Sequence, residues 1–234
     1  MRLFALLVFV VLSCSVSLSP FAEALADASG QPKYRQTDVE LSVSRVYVFV
    51  DKVGFGHQHG VEARLKSGSL RLGASERAGN LVFDMNTFSA DTASARKYVG
   101  LDGTSDVDTR TTVTRNMKGP DVLDVRRYPI ATFEVDTSLS TGEVSSSGKP
   151  LYRLNGRFTL CGATRPISIV VEVESARGWL HLKGSFLIQQ TDYGIKPYTK
   201  GFGVIGVSDE LRIYGDLYVA PTEDFPVFNL PVRG

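Results

Sequence analysis

The chain of 234 residues has few of the residue types that would mark a disulfide scaffold, a metal site or a polyanion-binding surface. It contains 2 cysteines and 3 histidines, and its 26 Lys and Arg residues are balanced by 25 Asp and Glu residues without long runs of one sign. A formal net charge of +1 gives no basic patch for a phosphate backbone. Nucleic acid is therefore not a predicted partner.

The N-terminal end has the features of a secretory leader. Met1 and Arg2 precede an apolar stretch that runs to about Leu18, and small residues follow at Ala24 and Ala26. We predict that residues 1–26 form a signal peptide cleaved after Ala26, which places the mature protein in the periplasm or outside the cell. A retained membrane anchor is disfavoured because serines interrupt the apolar stretch. Acylation of Cys14, as in a lipoprotein, is also less favoured, because residues 11–14 match the lipoprotein cleavage motif imperfectly.

Removal of this leader would leave Cys161 as the single cysteine of the mature chain. An intramolecular disulfide is then excluded, and so is dithiol redox chemistry within one mature chain. A lone thiol in such a chain is more often a small buried apolar group than a nucleophile. Packing has to hold the fold together.

The body of the chain is dominated by segments in which apolar and polar residues alternate, the pattern of half-buried β-strands. The clearest runs from Tyr152 to Leu160, where Tyr152, Leu154 and Phe158 share one face. About nine such segments separated by turns predict a closed antiparallel barrel or a sandwich. The predicted strands are 45–51, 57–65, 69–74, 80–85, 131–135, 152–160, 167–174, 180–189 and 211–219.

Two stretches interrupt the β pattern. Residues 90–99 and 106–117 are short of aromatic residues and predict a short helical insertion over one end, with Asp91 and Asp106 as N-caps. We expect a flexible N-terminal segment at 27–36, one domain at 37–220 and a proline-containing tail at 221–234. The fold class is thus all-β with a short helical insertion.

The alternation defines an inward apolar face without deciding what fills the space inside it. Small barrels are either filled by their own side chains or hold a ligand. Glycines at inward positions, such as Gly156, Gly184 and Gly215, are compatible with sharp strand coiling and with an open lumen. The inward set is Val48, Val50, Leu154, Phe158, Ile169, Val171, Leu182, Phe186, Ile213 and Leu217.

His57 and His59 are two residues apart, which on a strand would put both rings on the face that carries Val61. The pair could contact a ligand head group or bind a metal. A metal site requires a third ligand, and His181 is predicted to lie on the polar face of its strand. We therefore predict no metal site and no catalytic residue.

Four motifs in order resemble the YceI-like family. They extend over most of the mature chain: VGFGHQHG at 53–60, NMKGPDVLDVRRYPIATF at 116–133, LNGRFTLCGATRP at 154–166 and QTDYGI at 190–195. The resemblance implies an extended, lipocalin-like antiparallel barrel, exported to the periplasm, whose cavity holds an isoprenoid chain of the polyprenyl or quinone type. It brings no catalytic residue and no cofactor. Cys161 departs from the pattern, which usually has His in this turn.

The leading hypothesis is an exported, non-enzymatic carrier that holds an isoprenoid lipid for transport, storage or sequestration. The predicted cavity contacts are the inward set with Phe55, His57 and His59 added. Alternatives are a metal-assisted hydrolase that uses His57 and His59, and an envelope stress or interaction protein whose barrel is a scaffold. The hypothesis allows transient membrane contact, and the sequence leaves the oligomeric state open, a dimer included.

Overall fold

The structure is a computed structural model, and it describes residues 35, 37–201 and 204–222. These residues all fall in the larger of two compact units, which begins at Arg35. The predicted leader with Cys14, most of the 27–36 segment and the tail beyond Thr222 lie outside the described residues.

The described part of the chain forms a single antiparallel sheet with two helices and one 3₁₀ turn. The helices are α1 (Ala93–Tyr98) and α2 (Val107–Lys118), and the 3₁₀ turn is Gln190–Tyr193. The strands are β1 (Arg45–Gly54), β2 (His59–Leu70), β3 (Gly79–Ala90), β4 (Ile130–Val144), β5 (Pro150–Leu160), β6 (Ala163–Ala176), β7 (Trp179–Gln189), β8 (Thr199–Lys200) and β9 (Ile205–Val219).

The sheet closes on itself. Strands β1 to β7 pair in sequence order, β9 pairs with β7, and β9 then pairs with β1, from Arg45↔Asp216 to Gly54↔Ile205. The short β8 adds to β9 beyond the end of β7. Ring closure gives each long strand a partner on both sides over at least part of its length, which removes most of the exposed edge of an open sheet. The predicted all-β barrel with a helical insertion is confirmed.

Several predicted boundaries are wrong. The segments predicted as strands at 57–65 and 69–74 are one strand, β2, which ends at Leu70. The helix α1 is capped by Thr92, whose Oγ1 accepts a hydrogen bond from the Ala95 amide, and not by Asp91. Asp106 does cap α2, because its carboxylate accepts the Thr109 amide.

The turn between β5 and β6 is also shorter than predicted. It consists of Cys161 and Gly162 alone, at φ 48° and 80°, while Leu160 and Ala163 already pair across the hairpin. Positive φ at both central residues is the geometry of a two-residue type I′ turn, whose twist matches that of the strands.

The segment that precedes β1 packs against one end of the barrel. Val39, 5 % exposed, bridges to Val219, and its amide bonds to the Gly68 carbonyl of β2. The segment therefore passes across the end of β1. Ser44 lies buried there and its Oγ accepts the Tyr218 amide. This segment therefore packs against that end of the barrel.

The ladder between β6 and β7 is incomplete towards the other end. Val171↔Gly184 is its last pair, so residues 163–170 of β6 pair with β5 but not with β7. The 3₁₀ turn packs against β6 at this point and brings the buried Tyr193 to the barrel wall. The turn thus covers the gap that the two diverging strands leave.

In the described part of the chain, no helix has the length and apolar character needed to cross a membrane.

Candidate ligand cavity

The barrel interior contains a partly open cavity of about 230 Å³ with a predominantly apolar lining. Every member of the predicted inward set lines it, and so does His59. The lining extends over β1 to β7 and β9, because inward positions recur at every second residue of each strand. Contact of these residues with a ligand remains a prediction.

Two of the predicted cavity residues lie elsewhere. Phe55 is 80 % exposed, and His57 is exposed; neither lines the cavity. Gly54 has φ 60°, which ends β1 and breaks the alternation before Phe55 is reached. His57 precedes the first residue of β2, His59, so no strand geometry aligns the two rings. The placement of Phe55 and His57 in the cavity was wrong for these reasons.

The helical insertion supplies part of the cavity wall that strand patterns could not predict. Val113 and Met117 of α2, four residues apart and thus on one face of the helix, line the cavity from its end. Asn116 joins them as a polar lining residue. Val113 and Met117 are the apolar residues of the helix beyond its first position, Val107, and their i, i+4 spacing was a usable signal in the sequence.

Three aromatic rings of the lining, Phe83, Phe158 and Phe186, form a cluster with Tyr193. The Phe158 ring lies edge-on to Phe83, Phe186 and Tyr193, with centroid distances of 6.4, 5.7 and 5.7 Å. Edge-to-face pairs at such distances add to the free energy gained from apolar burial. Phe158 therefore ties strands β3, β5 and β7 to the 3₁₀ turn.

The three inward glycines have different roles. A Cβ at Gly156 would lie 2.0 Å from the Glu134 carbonyl oxygen, and one at Gly184 would lie 2.7 Å from the Val170 oxygen, so both allow close strand approach. A Cβ at Gly215 would meet one atom within 4 Å, Leu217 Cγ at 4.0 Å. Gly215 thus contributes open space to the cavity it lines.

His59 is held in the wall by a buried carboxylate. Its Nδ1 lies 2.6 Å from Oδ2 of Asp91, whose side chain is 1 % exposed. The other carboxylate oxygen accepts the Gly60 amide at 3.1 Å and Arg96 Nη1 at 3.2 Å. An ionised carboxylate can only accept hydrogen bonds, so Nδ1 of His59 carries the hydrogen. Nε2 has no hydrogen bond to a described residue and is available to a ligand.

The charge state of Asp91 follows from these contacts. Burial by itself raises the pKa of this carboxyl, but the hydrogen bonds and charges from His59, Gly60 and Arg96 outweigh it and hold the pKa below its usual value. Asp91 is therefore ionised at neutral pH and orients the imidazole. The sequence interpretation missed this role and assigned Asp91 to a helix cap.

The histidines do not assemble into a metal centre. Among the described residues, no group of three His, Cys, Asp or Glu side chains is placed to hold a metal ion. His181 does not line the cavity; its ring bonds to Glu174 at 3.1 Å and Asp216 at 2.6 Å and stacks on Tyr218. Its position agrees with the polar face predicted for it. The three histidines therefore lie in three different environments: His57 is exposed, His59 is in the cavity wall and His181 lies outside the cavity.

Cys161 lies in the tight turn at the end of β5 and is half-buried. Its Sγ contacts the Leu123 carbonyl oxygen at 3.5 Å. Burial, with a further contribution from the charge of Asp124, raises the pKa of the thiol to about 11. A thiol that is neutral at physiological pH is a poor nucleophile.

The described residues thus form a closed antiparallel barrel with a predominantly apolar cavity, and Asp91 holds His59 in the wall of that cavity. A YceI-like domain matches residues 37–218, which is more than half of the chain. The chain therefore belongs to the YceI-like family.

Solved structures of similar fold include a polyisoprenoid-binding domain from Saccharophagus degradans implicated in plant cell wall breakdown. It is 16 % identical with a TM-score of 0.54, and the alignment covers 80 % of this chain and 100 % of that domain. BcnA of Burkholderia cenocepacia is 17 % identical (TM-score 0.49; 77 % and 99 % covered). A mutant YceI protein of Campylobacter jejuni is 13 % identical (TM-score 0.46; 69 % and 85 % covered). A search of curated proteins found no match.

Proposed function

We propose that this protein is an exported carrier that binds an isoprenoid lipid of the polyprenyl or quinone type in the barrel cavity and catalyses no reaction. The observation that carries the proposal is the apolar cavity inside the barrel, which is lined by Val48, Phe158 and Leu217 among others. Each CH₂ group moved from water into such a lining contributes about 0.8 kcal/mol, so affinity rises with chain length. The polyisoprenoid-binding domain with the same fold supports this ligand class.

The volume of the cavity sets a limit on what it holds without rearrangement. A cavity of about 150 Å³ is known to hold one benzene, so 230 Å³ corresponds to roughly two five-carbon isoprene units on the same scale. A longer chain requires lining side chains to move or its end to leave the cavity. Met85, Met117 and Phe186 line the space, and methionine is adaptable enough to make room.

The same geometry gives the ligand an orientation. His59, Asn116 and Gln190 are polar lining residues, and Gln190 is already committed to the Ser208 carbonyl at 2.7 Å. Nε2 of His59 has no hydrogen bond to a described residue, and the contact of Nδ1 with Asp91 orients the ring. We assign His59 as the hydrogen-bonding partner of a ligand hydroxyl, carbonyl or phosphate at one end of the isoprenoid chain.

Export belongs to the proposal as well. The predicted leader at 1–26 places the carrier in the periplasm or outside the cell, where a water-insoluble chain needs a protein to cross the aqueous space. N-terminal sequencing of the purified protein tests this directly: a mature chain that starts at Asp27 supports it, and an intact Met1 in a membrane-free fraction contradicts it.

The ligand itself is tested by organic extraction of purified protein followed by mass spectrometry. Recovery of a prenyl lipid at near one molecule per chain is expected for the natural sequence. Gly215→Phe, which puts a ring into open space, should reduce the recovered lipid strongly, whereas Gly215→Ala should not. Extracts free of lipid from all three proteins would contradict the proposal.

A further inference from the structure

One end of the barrel carries a projecting ribbon next to the cavity. We call it the mouth ribbon and define it by the described residues 52–57, 195–201 and 204–207. The ends of β1 and β9 continue to pair here, beyond the point where β7 ends. Val53 pairs with Gly206, and the Phe55 amide donates a hydrogen bond to the Val204 carbonyl at 3.1 Å. The short β8 adds a third strand through Thr199↔Gly206.

The mouth ribbon exposes apolar side chains that a packed barrel would bury. The exposed fractions are 80 % for Phe55, 52 % for Val204, 45 % for Val53, 42 % for Ile205 and 40 % for Tyr198. Hydrogen bonds or strand pairing bring all five onto one ribbon. Contiguous exposed apolar residues on a soluble domain mark a binding surface.

This apolar surface is continuous with the cavity. Val50, which lies just before the ribbon, and Val207, which belongs to it, both line the cavity, while Tyr198 both lines the cavity and is exposed. A ligand that leaves the cavity beside Tyr198 therefore meets the mouth ribbon first.

The charge on the ribbon has one sign. Lys52, Lys196 and Lys200 are exposed, whereas the segments 52–58 and 193–207 contain no Asp or Glu. Four carboxylates flank the ribbon: Asp51 accepts hydrogen bonds from Gln58 Nε2 and the Lys52 amide, Asp209 accepts them from the amide and hydroxyl of Thr191, and Asp192 and Glu210 are exposed. In a chain with a net charge of +1, the local excess of positive charge on the ribbon complements an anionic surface.

We propose that the mouth ribbon docks on an anionic lipid bilayer, with Phe55, Val53 and Val204 in the headgroup region and the three lysines over lipid phosphates. Apolar residues combined with flanking lysines are the composition of interfacial membrane contacts. Docking places the cavity opening against the membrane, so an isoprenoid chain passes between them without crossing water. The proposal rests on the proposed carrier function.

Co-sedimentation with phosphatidylcholine vesicles, with and without phosphatidylglycerol, tests the docking. The wild-type protein should bind the anionic vesicles. Phe55→Ser/Val204→Ser should lower the partition coefficient by at least about tenfold, because two large apolar groups no longer leave water. The control is Val144→Ser: Val144 is 55 % exposed, and it lies at the end of β4 far from the mouth. This control should bind as the wild type does.

The lysines are tested separately. Lys52→Gln/Lys196→Gln/Lys200→Gln should weaken binding to anionic vesicles by about fivefold per lysine and leave any binding to neutral vesicles unchanged. All altered side chains are exposed, and thermal unfolding of each variant verifies that the fold is retained.

Three results would overturn the docking surface. The first is failure of the wild-type protein to bind anionic vesicles. The second is a loss of binding in the Val144→Ser control as large as the loss in Phe55→Ser/Val204→Ser. The third is a wild-type dimer in sedimentation velocity that Phe55→Ser/Val204→Ser dissociates, because the ribbon would then bind a second copy of the chain. Lipid extraction from the same preparations separates the two proposals. Extractable lipid without vesicle binding contradicts the docking alone, and vesicle binding without extractable lipid contradicts the carrier function alone.

Discussion

The imidazole Nδ1 of His59 lies 2.6 Å from Oδ2 of Asp91, although the two residues are 32 positions apart in the chain. The pairing of Val61 with Ala90 brings the start of β2 beside the end of β3 and so creates this contact. It places one oriented imidazole in an otherwise apolar wall. Two of the predictions below depend on it.

Acid should weaken the fold through Asp91. Its pKa is lowered in the folded protein, so its contribution to stability is complete above the unfolded-state pKa of about 3.9 and is lost as the pH falls through the lower folded value. Asp91→Asn should lower the free energy of unfolding by about 3 kcal/mol at pH 7, since it removes a buried, paired charge. Urea unfolding between pH 7 and pH 3 should then show a shallower loss below pH 4 for Asp91→Asn. Equal acid sensitivity in both proteins would contradict this assignment.

Head-group recognition should depend on His59 and not on His57. His59→Leu should weaken binding of farnesol by about fivefold, the value of one hydrogen bond, and leave binding of the hydrocarbon farnesene unchanged. Displacement of a fluorescent apolar probe measures both affinities. His57→Leu is the matched control, because His57 is exposed and does not line the cavity. An equal effect of His59→Leu on the alcohol and the hydrocarbon would show that the ring serves packing alone.

Replacement of an inward glycine by alanine should change the free energy of unfolding by different amounts at Gly156 and at Gly215. Gly156→Ala should destabilise the protein by at least about 2 kcal/mol, because the added Cβ would lie 2.0 Å from the Glu134 carbonyl oxygen and the wall has to shift. Gly215→Ala should be neutral or stabilise by up to about 1 kcal/mol, since alanine restricts the unfolded chain and meets open space here. Denaturant unfolding of the two variants checks this, and equal destabilisation would argue against an open lumen at Gly215.

Cys161 should react slowly and tolerate replacement. With a thiol pKa of about 11, its alkylation by iodoacetamide at pH 8 should be roughly a hundredfold slower than that of an unperturbed thiol. Cys161→Asn should stabilise the hairpin by about 0.5 kcal/mol relative to Cys161→Ala, because asparagine tolerates the φ of 48° found there. Rapid alkylation in the folded protein would contradict the raised pKa and the half-buried position of this thiol.

The inward faces of the strands could be predicted because alternation is a local property. Val48, Ile169 and Leu217 line the cavity for the same reason that they alternate with polar neighbours. The predicted cavity positions of Phe55 and His57 failed because both residues lie beyond the ends of strands. The positive φ of Gly54 ends β1 before Phe55, and β2 begins only at His59. An alternating pattern does not reveal where a strand ends.

The partner of His59 and the cavity itself could not be predicted from the residues alone. Asp91 precedes a helix, where a cap is the ordinary interpretation, and its contact with His59 follows from strand pairing over a long sequence distance. Likewise, alternation shows that apolar side chains point inward, but it does not show whether side chains from opposite walls fill the interior. At Gly215 open space remains, because an added Cβ would meet only Leu217 Cγ, at 4.0 Å.

Native mass spectrometry of the purified mature protein tests the central claim most directly. The wild-type protein should carry one added mass that corresponds to a prenyl lipid and disappears after organic extraction, and Gly215→Phe should be observed mainly without it. A wild-type protein that shows the bare chain mass, and that takes up no prenyl lipid from added vesicles, would contradict the proposed carrier function.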